Sequence, residues 1–289
     1  MLHKIALRGI RRGISLTAMN NGKTSKKVCC KREKECFLSQ ISARDFICFF
    51  IRTFAALTIE EMSIPTIRTT EDGSHTLFAS ELGECYHSTH GAIQESQHIF
   101  IEAGLRSCPN PKIEIVELGF GTGLNALLSL IEAEKSGRNI RYTSLEAYPI
   151  SQEMAATLNF CKILQTPQDL QDHFKSMHSC PWDKETAITP HFSLKKIRCD
   201  FREGIRLVGS FDLCFFDAFS PEKQPELWTE AIFSDLFHIA NKAAQLTTYC
   251  AKGSVRRAMQ AAGFKVERLP GPPGKREMLR ARKSMHENT

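Results

Sequence analysis

The sequence predicts a doubly wound α/β domain with a mostly parallel sheet and an antiparallel terminal strand. Three observations carry this. Short apolar runs alternate with helix-period segments from residue 63 onward, one run ends in a glycine-rich turn that opens a helix, and two late strand-like runs are joined by a short loop. Parallel neighbours need crossover connections, which the alternation supplies, whereas a short loop joins antiparallel neighbours.

The elements follow in order. Residues 76–79 (TLFA) and 84–87 (ECYH) read as a hairpin around Leu82-Gly83. Gly91–Leu105 spaces Ile93, Ile99, Phe100 and Leu105 as a helix face. Ile113–Leu118 is a buried strand, Leu124–Ala133 a helix, Ile140–Leu145 a second strand and Gln152–Phe160 a second helix. Residues 165–190 carry Pro167, Pro181 and Pro190 and read as irregular. Phe192–Cys199 and Phe211–Phe216 are the third and fourth strands, Pro225–Ala240 a helix and Gln245–Cys250 the fifth strand. Val255–Ala262 is a helix stopped by Gly263, and Phe264–Leu269 and Glu277–Ala281 form the closing pair.

Composition bounds the function. The 289 residues, 42% hydrophobic and 24% charged, suit a globular protein with a substantial core. The net charge of +6 is unevenly placed. Residues 1–61 hold 12 Lys/Arg against 5 Asp/Glu, leaving 26 basic and 27 acidic residues beyond them. A basic balance of the folded part is therefore no argument for nucleic-acid binding, and local clusters must carry any such argument. Residues 1–61 read as a basic extension outside the domain, and residues 62–289 as the domain, with Met62 a candidate translation start. Eleven cysteines without a C-x-x-C pair argue against a zinc ribbon and for a reducing, cytoplasmic setting; no metal is expected. The longest apolar stretch, Phe46–Ile59, is too short to span a bilayer comfortably and contains Arg52, so no stable membrane association is expected.

The chemistry concentrates at strand ends. In Ile113-Glu-Ile-Val-Glu117-Leu-Gly119-Phe-Gly121-Thr-Gly123-Leu-Asn125 a strand runs into a Gly-x-Gly-x-Gly turn. Glycines allow tight turning and close approach of a ligand at the carboxyl edge of such a sheet. A dinucleotide fingerprint needs its third glycine where Leu124 stands, so a pyrophosphate site is disfavoured. Glu117 would repel pyrophosphate but suits the ammonium of a methionine moiety, which points to S-adenosylmethionine. Glu146 ends the second strand, where an acid accepts both ribose hydroxyls, and Asp200 ends the third, within reach of an adenine amino group. The fourth strand ends in Asp217-Ala-Phe219-Ser-Pro221, an acid followed by an aromatic and a proline. A carboxylate there can orient a neutral amine toward a methyl donor and take its proton, while Phe219 meets the base that carries the amine. Tyr249 and Lys252 border the same edge after the fifth strand, and with Lys223 and the Lys275-Arg276 pair they offer candidate contacts to substrate and RNA phosphate.

These segments together resemble a known family. Phe120-Gly-Thr-Gly-Leu-Asn125, Asp217-Ala-Phe-Ser-Pro-Glu-Lys-Gln-Pro-Glu-Leu-Trp228, Tyr249…Val255-Arg-Arg257 and Gly274-Lys-Arg-Glu-Met278 are similar to the tRNA 5-(aminomethyl)-2-thiouridine methyltransferases. These occur as free-standing MnmD-type enzymes and as the methyltransferase half of bifunctional MnmC. Tyr86-His-Ser88…Gly91…Glu95-Ser96 extends the likeness upstream, so that it runs from about Met62 to Arg282. The resemblance implies a Rossmann-like class I S-adenosylmethionine-dependent methyltransferase that methylates an aminomethyl nitrogen on the tRNA wobble uridine. It implies Asp217 as the catalytic carboxylate and Glu117, Gly119, Gly121, Gly123 and Glu146 as cofactor contacts. No dinucleotide-type fingerprint follows, so FAD oxidase activity is not expected and separate enzymes would supply the aminomethyl precursor. Residues 1–61 depart from the family pattern. Two other readings stand beside this one: another amine or protein N-methyltransferase or aminopropyltransferase of the same fold, and a non-catalytic RNA-binding module. Acceptor assays separate the first and cofactor calorimetry the second.

Overall fold

The computed structural model describes residues 64–284, so the readings of residues 1–61 and of Met62 lie outside the described residues. Eight strands form one sheet. Its parallel centre is β4 (Lys112–Leu118), β5 (Asn139–Glu146), β7 (Phe192–Arg198), β8 (Phe211–Phe216) and β9 (Ala240–Thr248), in the spatial order β7-β5-β4-β8-β9. The chain winds outward from β4 in both directions, so a crevice opens at the carboxyl ends of β4 and its neighbours. Beyond β9, β11 (Glu277–Arg282) pairs antiparallel, and β10 (Lys265–Pro270) pairs antiparallel with β11 at the sheet edge. The expected antiparallel closing pair is present.

Alternation along β4 divides its side chains between two cores. Ile113 and Ile115 pack with Leu127 and Leu130 of the helix Leu124–Ser136, while Val116 and Leu118 pack with Phe216 and Phe233 on the other face. Glu117 falls on the first face by the same period-two rule, which places a carboxylate directly beneath the start of that helix.

Residues 165–190 correct the reading from sequence. They hold a helix, Gln168–Ser179, and β6 (Glu185–Thr189), which runs antiparallel along β7 at the opposite sheet edge. The three prolines mark ends rather than interiors. Pro167 precedes the first helical residue, Pro181 lies just past the helix, and Pro190 sits in the turn between β6 and β7. Proline is tolerated at these places because no backbone N–H is needed there.

Other elements are subdivided. The segment from Gly91 is α-helical over Ala92–Ser96, widens into a π turn over Gln97–Glu102 and closes as a 3-10 turn at Leu105–Ser107. Gln152–Phe160 breaks into Gln152–Ala156, capped by Ser151, and Phe160–Ile163. Pro225–Leu227 is a 3-10 turn before the helix Glu230–Ile239, which Thr229 caps. β9 starts at Ala240, earlier than expected, because a register shift with Ala243 at φ 63° lets the strand begin directly after the helix. At the start of the described chain, β1 (Thr66–Thr69), β2 (His75–Ala79) and β3 (Glu84–Cys85) make a small antiparallel sheet. Among the described residues, no helix is long and apolar enough to cross a membrane.

Candidate active site

The glycine turn folds tightly against the end of β8. Gly119, Gly121 and Gly123 all hold positive φ, at 101°, 49° and 74°. A β-carbon on Gly119 would lie 2.9 Å from the Asp217 carbonyl oxygen, a contact only glycine avoids. The Asp217 N–H donates to the Leu118 carbonyl (3.2 Å) and the Gly119 N–H to Leu145 (3.0 Å), so the turn and the acid loop are stitched across three strand ends.

Asn125 joins the two acids that the sequence separates by a hundred residues. Its Nδ2 donates to Glu117 Oε1 (3.1 Å) and to Asp217 Oδ2 (2.8 Å). Ser144 Oγ, in register beside Glu117 on β5, donates to the other oxygen of Glu117 (2.8 Å). Glu117 is wholly buried, and desolvation pushes its pKa up to about 8 despite these donors. Asp217 is pushed up to about 7, first by burial and then by the charge of Glu95, with Asn125 and Lys275 acting the other way. Asn125 Oδ1 is buried with no hydrogen-bond partner among the described residues. The site is thus rich in acceptors and short of donors and cations.

Glu146 accepts from the N–H groups of Gly121 and Tyr148, both at 2.8 Å. Burial raises its pKa and these backbone donors partly offset the rise. Asp200 is placed differently. Strand β7 ends at Arg198, and Asp200 caps the short helix Phe201–Gly204 while Arg202 donates to both of its oxygens (2.9 and 2.6 Å).

The acid loop is held by side chains from elsewhere. Tyr249 Oη donates to the Ala218 carbonyl (2.9 Å), Trp228 Nε1 to the Phe219 carbonyl (2.8 Å), and Ser220 Oγ to Glu84 (2.8 Å). The Phe219 ring meets Tyr86 edge-on at 5.1 Å, and Tyr86 in turn lies 3.1 Å from where a Gly121 β-carbon would stand. His87, buried and with its pKa pushed down to about 4 by desolvation, has Nε2 2.7 Å from Thr122 Oγ1 in the glycine turn. The small N-terminal sheet therefore lays Tyr86 and His87 on the crevice.

The cationic candidates separate. Lys252 pairs with Glu222, Lys223 lies beside Gly83, and Arg276 is exposed. Lys275 turns inward to Glu95 Oε1 (2.5 Å) and sits 4.1 Å above the Tyr249 ring. Asn125, Tyr86, His87 and Glu95 are the participants that site selection from sequence passed over, although each lies within a segment that carried the resemblance. Ser144 had no signal, since a lone serine in a strand is ordinary.

Comparison with known proteins bears on this geometry. A family model described as S-adenosyl-L-methionine-dependent methyltransferase matches residues 166–284. The crystal structure of MNMC2 from Aquifex aeolicus superposes with a TM-score of 0.64 at 25% identity, covering 85% of this chain and 83% of that one. Fold and family match together define a class I S-adenosylmethionine-dependent methyltransferase. Among curated proteins, the tRNA 5-methylaminomethyl-2-thiouridine biosynthesis bifunctional protein MnmC of Aromatoleum aromaticum is 34% identical over 226 residues, 74% of this chain. That of Azoarcus sp. is 33% identical over 226 residues, 73% of this chain. The chain belongs to the MnmC family and matches its methyltransferase portion. It spans about one third of the length of these curated relatives, 34% of each.

Proposed function

We propose that this chain transfers the methyl group of S-adenosylmethionine to the aminomethyl nitrogen of 5-aminomethyl-2-thiouridine at the tRNA wobble position, giving 5-methylaminomethyl-2-thiouridine. The observation that carries the reading is the placement of Asp217, half-buried at the end of β8 and held by Asn125 beside Glu117 over the glycine turn.

The residues present fit the cofactor. Two carboxyl groups of raised pKa and the unpartnered Asn125 Oδ1 form an acceptor-rich cluster suited to a ligand bearing cationic and N–H groups. When bound, S-adenosylmethionine supplies an electrophilic methyl carbon with a neutral thioether as leaving group. Glu117 would hold the ammonium end and Glu146 the ribose hydroxyls, with Gly119, Gly121 and Gly123 leaving space for close approach. Asp200 would accept from the adenine amino group in competition with Arg202.

Asp217 acts on the acceptor. An alkylammonium has no lone pair, so the carboxylate takes a proton from it directly or through water and holds the neutral amine in line with the methyl carbon. With the donor bound, the freed lone pair would form the C–N bond while the C–S bond broke with its electrons left on sulfur, the amine's proton already resting on Asp217. A pKa near neutrality suits Asp217 to this exchange. Phe219, at the mouth and braced by Tyr86, meets the uracil face, and Tyr249 fixes the loop that carries both. Lys223, Lys252 and Arg276 serve the tRNA phosphates.

Nucleoside mass spectrometry tests the reading. Purified chain, S-adenosylmethionine and tRNA bearing 5-aminomethyl-2-thiouridine are expected to give a nucleoside heavier by one methylene. Recovery of unmodified nucleoside, with methylation of a small amine or a peptide instead, would refute the acceptor assignment.

A further inference from the structure

The loop between β10 and β11 crosses to the beginning of the domain. The Pro270 carbonyl lies 2.8 Å from His98 Nε2, and Gly274, at φ 80°, packs so closely on the His90 ring that a β-carbon could not fit. This delivers Lys275 into the crevice. Its ammonium meets Glu95, which is buried and also accepts from the Ser88 N–H (2.8 Å), and it lies over the Tyr249 ring, whose hydroxyl holds the residue next to Asp217.

We propose that Lys275 and Glu95 form a positioning pair that sets the charge of the Asp217 carboxylate, with Lys275 an internal counterion rather than a contact to RNA phosphate. The inference rests on the proposed methyl transfer by Asp217. A lysine already bonded to a buried carboxylate and stacked on an aromatic ring is a poor phosphate ligand, because reaching outward forfeits both contacts. Inside, it cancels a negative charge that would otherwise repel Asp217. The charged and titratable groups around Asp217 are Glu117 from β4, Tyr142 from β5, Glu95 from the N-terminal helix, Tyr249 after β9 and Lys275 from the β10–β11 loop. Of these, Lys275 is the cation.

The sign is opposite for the two partners. Loss of the lysine charge disfavours the Asp217 carboxylate, whereas loss of the Glu95 charge favours it. The pH dependence of kcat/KM is therefore measured for wild type, Lys275→Met, Lys275→Arg and Glu95→Gln, with the Asp217 carboxyl titrated by 13C NMR as a readout independent of turnover. The acidic limb and the carboxyl titration are expected to move up by about one unit in Lys275→Met and down by a similar amount in Glu95→Gln, with Lys275→Arg near wild type. Shifts of the same sign, or unmoved titrations, would overturn the pair. So would a Lys275→Met protein whose sole defect is weaker tRNA binding with a shallower salt dependence. If Lys275→Met does not fold, the downward shift in Glu95→Gln decides alone. A wild-type protein that methylates no aminomethyluridine tRNA while the NMR shifts appear as stated defeats the proposed activity but not the pair.

Discussion

Replacing Asn125 with alanine tests the bridge at the heart of the site. The side chain donates to the buried Glu117 and the half-buried Asp217 carboxyl groups, at 3.1 and 2.8 Å. Hydrogen bonds to charged groups contribute about 1.5–3 kcal/mol each, and because one amide serves both, a combined loss of about 3–4 kcal/mol is reasonable. For a domain of this size, 1 kcal/mol corresponds to about 2–4 °C in Tm, so a fall of about 10 °C is expected above pH 8. Glu117 and Asp217 have folded-state pKa values raised to about 8 and about 7, above the ordinary carboxylate range. Such groups favour the folded state at low pH, and that contribution is lost as pH rises from the ordinary range through the folded values. Asn125 stabilises the ionised forms, so its loss raises both values further and matters most where the carboxyls must ionise. At pH 5, where both are neutral in the folded protein, the bonds are ordinary ones worth about 1 kcal/mol each. Scanning calorimetry at pH 5 and pH 8.5 is the assay. A Tm deficit equal at the two pH values, or no deficit, would refute the coupling of Asn125 to two titrating acids.

Three further outcomes are expected. Asp217→Asn should lower kcat by about 10²- to 10⁴-fold in a radiolabelled methyl-transfer assay while raising Tm at pH 8.5, since a buried ionising group is removed. Gly123→Ala places a β-carbon 2.9 Å from His178 Nε2 at a φ of 74°; a loss of about 1–2 kcal/mol and weaker S-adenosylmethionine binding should follow in denaturation and calorimetry. Binding of the cationic cofactor at pH 7.5 should lower the pKa of Glu117 and Asp217 and release protons, visible as a buffer-dependent binding enthalpy; an enthalpy independent of buffer would count against both acids as partners.

What could be read beforehand followed from periodicity and punctuation. Ile113–Leu118 and Phe211–Phe216 are apolar strands bounded by turns, and their ends place the glycine turn and Asp217 with little ambiguity. Residues 165–190 resisted because prolines at element ends look the same in sequence as prolines in loops, and because Gln168–Ser179 buries few apolar side chains, among them Phe174 and Met177. Ala243 was opaque for another reason: a register shift lies in the pairing of two strands, which local propensity does not encode. At the site, acids at strand ends were visible as positions, but their partners were not. Lys275 read as an outward cation because nothing local announces Glu95, 180 residues away.

That separation has a consequence for biogenesis. At a synthesis rate of about 5–20 residues per second, some ten to forty seconds pass between the emergence of Glu95 and that of Lys275. All the central strands are made within that interval, from β4 to β9, before the loop that carries Lys275. A nascent chain stalled before the β10–β11 loop would carry the glycine turn and Asp217 but leave Glu95 without its lysine, and the ion pair closes only when that loop emerges.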